Sequence, residues 1–143
     1  MALAVIGFNH NNTPLAVREQ LVFDANQLSS EATELFKLLS SQLQQELRGL
    51  VIVSTCNRTE FYLDSDTEVQ QEIVLQWLQA TKTVDQQQLQ QYYYAHYRND
   101  AVAHLFAVIS GLDSMVTGET QIAGQIKFAY QVCLLYTSDA ADD

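Results

Sequence analysis

The chain has 143 residues, 48% of them hydrophobic and 17% charged. That is the makeup of one globular domain able to bury a core, with no apolar run near the roughly 18 residues that a membrane-spanning helix needs. Seventeen acidic residues against seven basic ones leave a formal charge of −10, which excludes a broad basic stripe for nucleic acid and restricts any RNA contact to a local one or to another part of a longer protein.

The opening MALAVIGFNH lacks the basic region of a signal peptide, and its apolar run is short for one. Leu3 to Phe8 reads as a buried strand. Asn9 to Thr13 is turn-like, and Thr13–Pro14 signals a helix start with Pro at the first helical position. Asp24 followed by Gln27 resembles a capping box. Leu28, Ala32, Leu35, Leu39 and Leu43 then recur at helical spacing, closed before Gly49. Leu50 to Val53 is a second strand, and Phe61 to Leu63 lies in a third, reached through Ser54 to Glu60. Glu68 to about Lys82 is helical, with Val69, Ile73, Val74, Trp77 and Leu78 on one face. A glutamine-rich stretch, Asp85 to Gln91, leads to Tyr92, Tyr93 and Tyr94, whose aromatic run suits a strand. Asp100 caps a helix through Ile109, and after Gly111 a further helix is expected from Glu119 to Val132.

The order of the first six elements is βαββαβ. It predicts an α+β fold, a ferredoxin-like βαββαβ sandwich with additional C-terminal helices. Residues 1–132 are read as one domain and 133–143 as a ragged tail outside the periodic pattern. The seventeen glutamines fall mostly on polar helix faces and read as solvated surface.

Ser54-Thr55-Cys56-Asn57-Arg58-Thr59-Glu60 is a polar block between two strand-like runs. Cys56 has two readings there. It is either a small buried hydrophobe, as free cysteines often are, or a nucleophile whose thiolate is favoured by the nearby Arg58 cation. If the segment stays extended, Cys56 and Arg58 point to the same side. Cys133, among apolar residues, is read as structural. Two cysteines are too few for a disulfide scaffold or a four-cysteine zinc site and fit a cytoplasmic chain with reduced thiols.

A second polar block runs from Gly111 to Gln121 and on to Gln125. It is either an ordinary helix–loop–helix connection or a wall where Glu119, Gln121 and Gln125 meet a small polar ligand. Neither a GxGxxG nor a GxxxxGK[ST] phosphate loop occurs. His10, His96 and His104 are too dispersed for metal-ligand spacing, so no metal is expected. Taken alone, His104 is either a core or surface residue or an acid–base group.

Gly7-Phe8-Asn9-His10 with Pro14 and Arg18-Glu19, the block Ser54 to Glu60, and Gly111-Leu112-Asp113-Ser114 through Gly118-Glu119 to Gln125-Ile126-Lys127 stand in family order. Together they resemble the N-terminal catalytic domain of glutamyl-tRNA reductase, over about residues 3–130. The resemblance implies a ferredoxin-like catalytic domain in the NADPH-dependent reduction of glutamyl-tRNA to glutamate-1-semialdehyde, the first step of tetrapyrrole (porphyrin) biosynthesis. It implies that Cys56 attacks the glutamyl ester and forms a thioester. Thr55, Cys56, Asn57 and Arg58 would form one wall of the substrate site, with Arg58 receiving the glutamate carboxylate. Ser114, Glu119, Thr120, Gln121 and Gln125 would form the other, with Glu119 toward the ammonium group. His104 matches the histidine the family needs for activity, as proton donor to the departing ribose hydroxyl or as organiser of the site.

In the family NADPH is bound by a following domain, absent here, and homodimers form through a helical region also absent. The expectation is therefore a chain that acylates and hydrolyses without reducing. Glutamate-1-semialdehyde aminomutase, the next enzyme of the pathway, is the implied protein partner. The alternative is a non-enzymatic protein-binding or regulatory α+β domain using the Gln- and Tyr-rich surfaces.

Overall fold

Leu3 to Phe8 needs burial on both faces, and it finds it in the middle of a sheet. The computed structural model describes residues 2–43, 47–65, 69 and 71–109. Strand β1 (Ala2–Asn9) leads through a tight turn into helix α1 (Leu15–Leu21) and then the long helix α2 (Ala25–Leu43). Strands β2 (Gly49–Ser54) and β3 (Arg58–Ser65) form a hairpin. Helices α3 (Gln71–Lys82) and α4 (Gln86–Tyr92) cross to β4 (Tyr94–Tyr97), and α5 (Asn99–Ile109) follows.

The sheet order is β2-β3-β1-β4, and all neighbouring strands are antiparallel. Each helical crossover skips one strand, which is the split βαβ arrangement of the ferredoxin-like fold. The α+β expectation therefore holds. The second C-terminal helix, expected at Glu119 to Val132, lies outside the described residues, as does the boundary between 132 and 133.

Strand alternation separates two cores. Ile6, Phe8, Ile52, Phe61 and Leu63 face helices α1 to α4, meeting Leu21, Leu35, Leu39, Trp77 and Leu78. Leu3, Val5, Val53 and Tyr62 face the opposite way, against Ala101, Leu105 and Val108 of α5. Phe23, between α1 and α2, stacks on Trp77 at 5.8 Å and meets Phe61 edge-on at 6.3 Å.

Several local expectations shift. Pro14 is the extended cap residue before α1 rather than its first helical residue. The Asp24 side chain accepts from the Asn26 N–H at the start of α2, the N-cap half of the expected box. The glutamine-rich stretch is a helix, capped by the Asp85 side chain on the Gln87 N–H, with Leu89 alone fully buried. Tyr92 ends that helix and Tyr93 links it to the strand, so of the three tyrosines only Tyr94 is a strand residue. Asp100 sits inside the first turn of α5, whose first intrahelical bond goes to the carbonyl of Arg98, at φ 55°.

Candidate active site

The link expected from Ser54 to Glu60 is shorter than its polarity suggests. Ser54 still pairs with Thr59, and the Thr55 N–H donates to the Arg58 carbonyl at 2.8 Å, which leaves Cys56 and Asn57 at the corner of a hairpin turn. The Thr55 hydroxyl shapes that corner by accepting from the N–H groups of Asn57 and Arg58 at 3.2 and 3.3 Å. From α1, Arg18 Nη1 donates to the Cys56 carbonyl at 3.1 Å. Cys56 is exposed, which removes its reading as a buried hydrophobe. Because the chain turns here, strand alternation does not relate Cys56 to Arg58. The thiol sits at the surface, while Arg58 opens β3 at 1% exposure. Asn57 is also buried, and its side-chain nitrogen has no hydrogen-bond partner among the described residues.

Arg58, Glu60 and Tyr62 alternate along β3 and share the face that α5 covers. The Glu60 carboxylate, fully buried, collects four hydrogen-bond contacts. Oε1 accepts from Arg58 Nη1 at 3.2 Å and from the Tyr62 hydroxyl at 2.9 Å. Oε2 accepts from the Tyr94 hydroxyl, and His104 Nε2 lies 2.5 Å from it. Burial pushes this carboxyl up. The His104 hydrogen bond, the Arg58 and His104 charges and the Tyr94 hydroxyl outweigh that and hold it below its ordinary 4.5. Burial, then the Glu60 charge, pushes the Tyr94 phenol well above its ordinary 10.0.

Gly7 makes the cluster possible. In the register it lies between Glu60 on β3 and Tyr94 on β4. A Cβ there would sit 2.9 Å from Glu60 Cγ and 3.0 Å from the Tyr94 hydroxyl, so the bare backbone lets Tyr94 reach across β1.

His104 and its neighbour His96 stack with ring centroids 4.8 Å apart. Both line a cleft of about 430 Å³ with Asn9, Asn11, Asn12, Tyr94 and Ala107. Burial and the His104 charge lower the His96 pKa from its ordinary 6.5, against opposing pulls from Asp100 and Glu60. Asn9 pairs with Arg58 in the β1–β3 ladder, which puts the cleft and the Cys56 turn at the same end of the sheet.

The β1–α1 turn bears on cofactors. A dinucleotide is normally cradled by free backbone N–H groups of a Gly-rich turn ending a parallel strand. Here the N–H groups of Asn12 and Thr13 are spent on the Asn9 carbonyl, and that of Asn11 on the Asn9 side chain. That turn therefore lacks the free N–H groups with which a Gly-rich turn cradles a dinucleotide. Among the described residues, no three of His, Cys, Asp and Glu cluster as metal ligands would, and no helix is long and apolar enough to cross a membrane.

The family model described as glutamyl-tRNAGlu reductase, N-terminal domain, matches residues 6–138. The chain belongs to this family. It is 41% identical over 131 residues to a glutamyl-tRNA reductase of Methylococcus capsulatus, covering 92% of this chain and 30% of that protein. A relative of the same name from Teredinibacter turnerae is 43% identical over 132 residues, with the same coverage. The chain thus spans under a third of the length of the curated relatives it matches. Among solved structures, the glutamyl-tRNA reductase of Methanopyrus kandleri superposes with a TM-score of 0.58 at 26% identity, covering 90% of this chain and 27% of that one.

Of the residues the resemblance singles out, Thr55, Cys56, Asn57 and Arg58 lie together on the hairpin, and His104 reaches the same sheet face through Glu60. Ser114, Glu119, Thr120, Gln121 and Gln125 lie outside the described residues. Sequence reasoning passed over Glu60, Tyr62, Tyr94 and Gly7 as site residues. The available signal was an arginine and a glutamate two apart in a run that continues as a buried strand. Ionic side chains on one face of such a strand must be paired with each other or with something that crosses the sheet.

Proposed function

We propose that this chain carries the acyl-transfer half of the glutamyl-tRNA reductase reaction, with Cys56 as the nucleophile. The observation that carries the reading is Cys56 itself: exposed at the corner of a turn that Arg18 and Thr55 hold, at the end of the sheet where the cleft opens. The Cys56 sulfur forms a bond to the ester carbon of glutamyl-tRNA, the bond from that carbon to the ribose oxygen breaks, and the oxygen takes up a proton from His104. One difficult displacement becomes two easier ones.

Arg58 receives the substrate's side-chain carboxylate. Its guanidinium has five donors, so it can hold Glu60 on one edge and a second carboxylate on another. Its burial sets a condition, since the groups that cover it must part when substrate enters. Thr55 and Asn57 complete this wall, with Ser114, Glu119, Thr120, Gln121 and Gln125 as the other. Reduction to glutamate-1-semialdehyde for tetrapyrrole biosynthesis, the NADPH it uses, homodimerisation and the encounter with glutamate-1-semialdehyde aminomutase belong to the whole cytoplasmic protein rather than to these residues.

Intact-protein mass spectrometry after incubation with glutamyl-tRNA tests the reading. One glutamyl adduct, labile to hydroxylamine, is expected on the native chain and on Cys133→Ser, and none on Cys56→Ser. An adduct that persists in Cys56→Ser overturns the assignment.

A further inference from the structure

The three donors that already occupy Glu60 decide which nitrogen of His104 holds the proton. An ionised carboxylate only accepts, and its two oxygens offer about four lone-pair sites. Arg58, Tyr62 and Tyr94 take three of them, each as a donor. The contact from His104 Nε2 to Oε2 must then also be a donation. A neutral imidazole carries a single N–H, so a proton on Nε2 leaves the lone pair on Nδ1. No described residue hydrogen-bonds to Nδ1, and His104 lines the cleft.

We infer that Glu60 is a positioning residue that fixes His104 as its Nε2–H tautomer, and that Nδ1 is the atom exchanging protons with substrate in the cleft. The inference rests on the acyl-transfer reading. In acylation, the imidazolium gives its Nδ1 proton to the ribose oxygen as the carbon–oxygen bond breaks. In hydrolysis of the thioester, neutral Nδ1 takes a proton from a water whose oxygen bonds to the acyl carbon. The carbon–sulfur bond then breaks, and the sulfur leaves as the Cys56 thiolate. Gly7 and Tyr94 belong to the same device. The gap at Gly7 admits the Tyr94 hydroxyl, which with His104 pins Oε2.

The test uses the 143-residue chain with ¹⁵N-labelled histidine. Long-range ¹H–¹⁵N correlation should show His104 protonated at Nε2, with a low-field, exchange-protected Nε2–H. Glu60→Gln should lose that protected proton and populate both tautomers. Tyr94→Phe keeps the ring but removes a competing donor from Oε2, so it should move the resonance further downfield. This milder variant reads the device even if Glu60→Gln folds poorly. His104→Gln places an amide N–H near the Nε2 position with nothing at Nδ1. It should keep its melting temperature and lose roughly a hundredfold or more in thioester formation, the scale of acid–base catalysis. A wild-type His104 protonated at Nδ1, an unmoved resonance in Tyr94→Phe, or full acylation by His104→Gln overturns the inference. The tautomer is read without substrate, so absence of a Cys56 adduct counts against the acyl-transfer reading and leaves the tautomer result intact.

Discussion

Gly7→Ala adds one methyl group at a confined point in the middle of the sheet. The new carbon would meet Glu60 Cγ at 2.9 Å, and the Thr59 carbonyl oxygen and the Tyr94 hydroxyl at 3.0 Å each. Unstrained contacts between non-bonded carbons lie near about 3.5–4.0 Å, and none of these three neighbours yields freely. Thr59 O is backbone in the central ladder, and Glu60 and Tyr94 are tied to each other. Overpacking of this kind costs about 1–3 kcal/mol. At about 2–4 °C per kcal/mol for a domain near this size, the melting temperature should fall by several degrees. Circular dichroism during heating and urea titration measures the loss, and the His104 Nε2–H resonance shows whether the cluster has opened. In the double variant Gly7→Ala/Tyr94→Phe one close atom is gone. The two costs should then fall short of additivity by about 0.5 kcal/mol or more, as for groups in contact. A Gly7→Ala chain of wild-type stability with an unshifted His104 signal would refute the account of the notch.

Arg58→Ala leaves the buried Glu60 carboxylate without its cation and should cost about 3–5 kcal/mol in urea unfolding; Arg58→Lys, which keeps the charge, should cost less. Stability should fall as pH drops below 6.5 and further below 4.5, because the folded pKa values of His96 and Glu60 both lie under these ordinary ones, so protonation favours the unfolded chain. It should also fall above pH 10.0, where unfolding lets Tyr94 ionise; Glu60→Gln should flatten the lowest-pH part of the curve. Asp85→Ala removes the cap of α4 and should destabilise by about 0.5–2 kcal/mol without changing acylation. Glutamyl-tRNA deacylation by the 143-residue chain should be unaffected by NADPH, and semialdehyde trapped from that reaction would refute the expectation that this chain acylates without reducing.

Much of this protein is written locally. The apolar run of β1, the three-and-four spacing of α2 and the polar block at Cys56 are each readable within a dozen residues or so. Period and burial are properties of one segment against one neighbour. The helix at Gln86–Tyr92 escapes that reading because it has no apolar stripe: one capping aspartate and one docked leucine define it. The Arg58–Cys56 relation escapes it because a turn, not a strand, joins the two. The Glu60 cluster is beyond it altogether. Tyr94 and His104 stand 34 and 44 residues from Glu60, and only the β3-β1-β4 register, with α5 laid over that face, brings them to one carboxylate. That register is set by the burial of every strand at once, because a slip of one residue would turn each side chain to the opposite face. The residues proposed for the chemistry are thus legible along the chain, while the partners that gather on His104 exist only once the sheet has closed around Gly7.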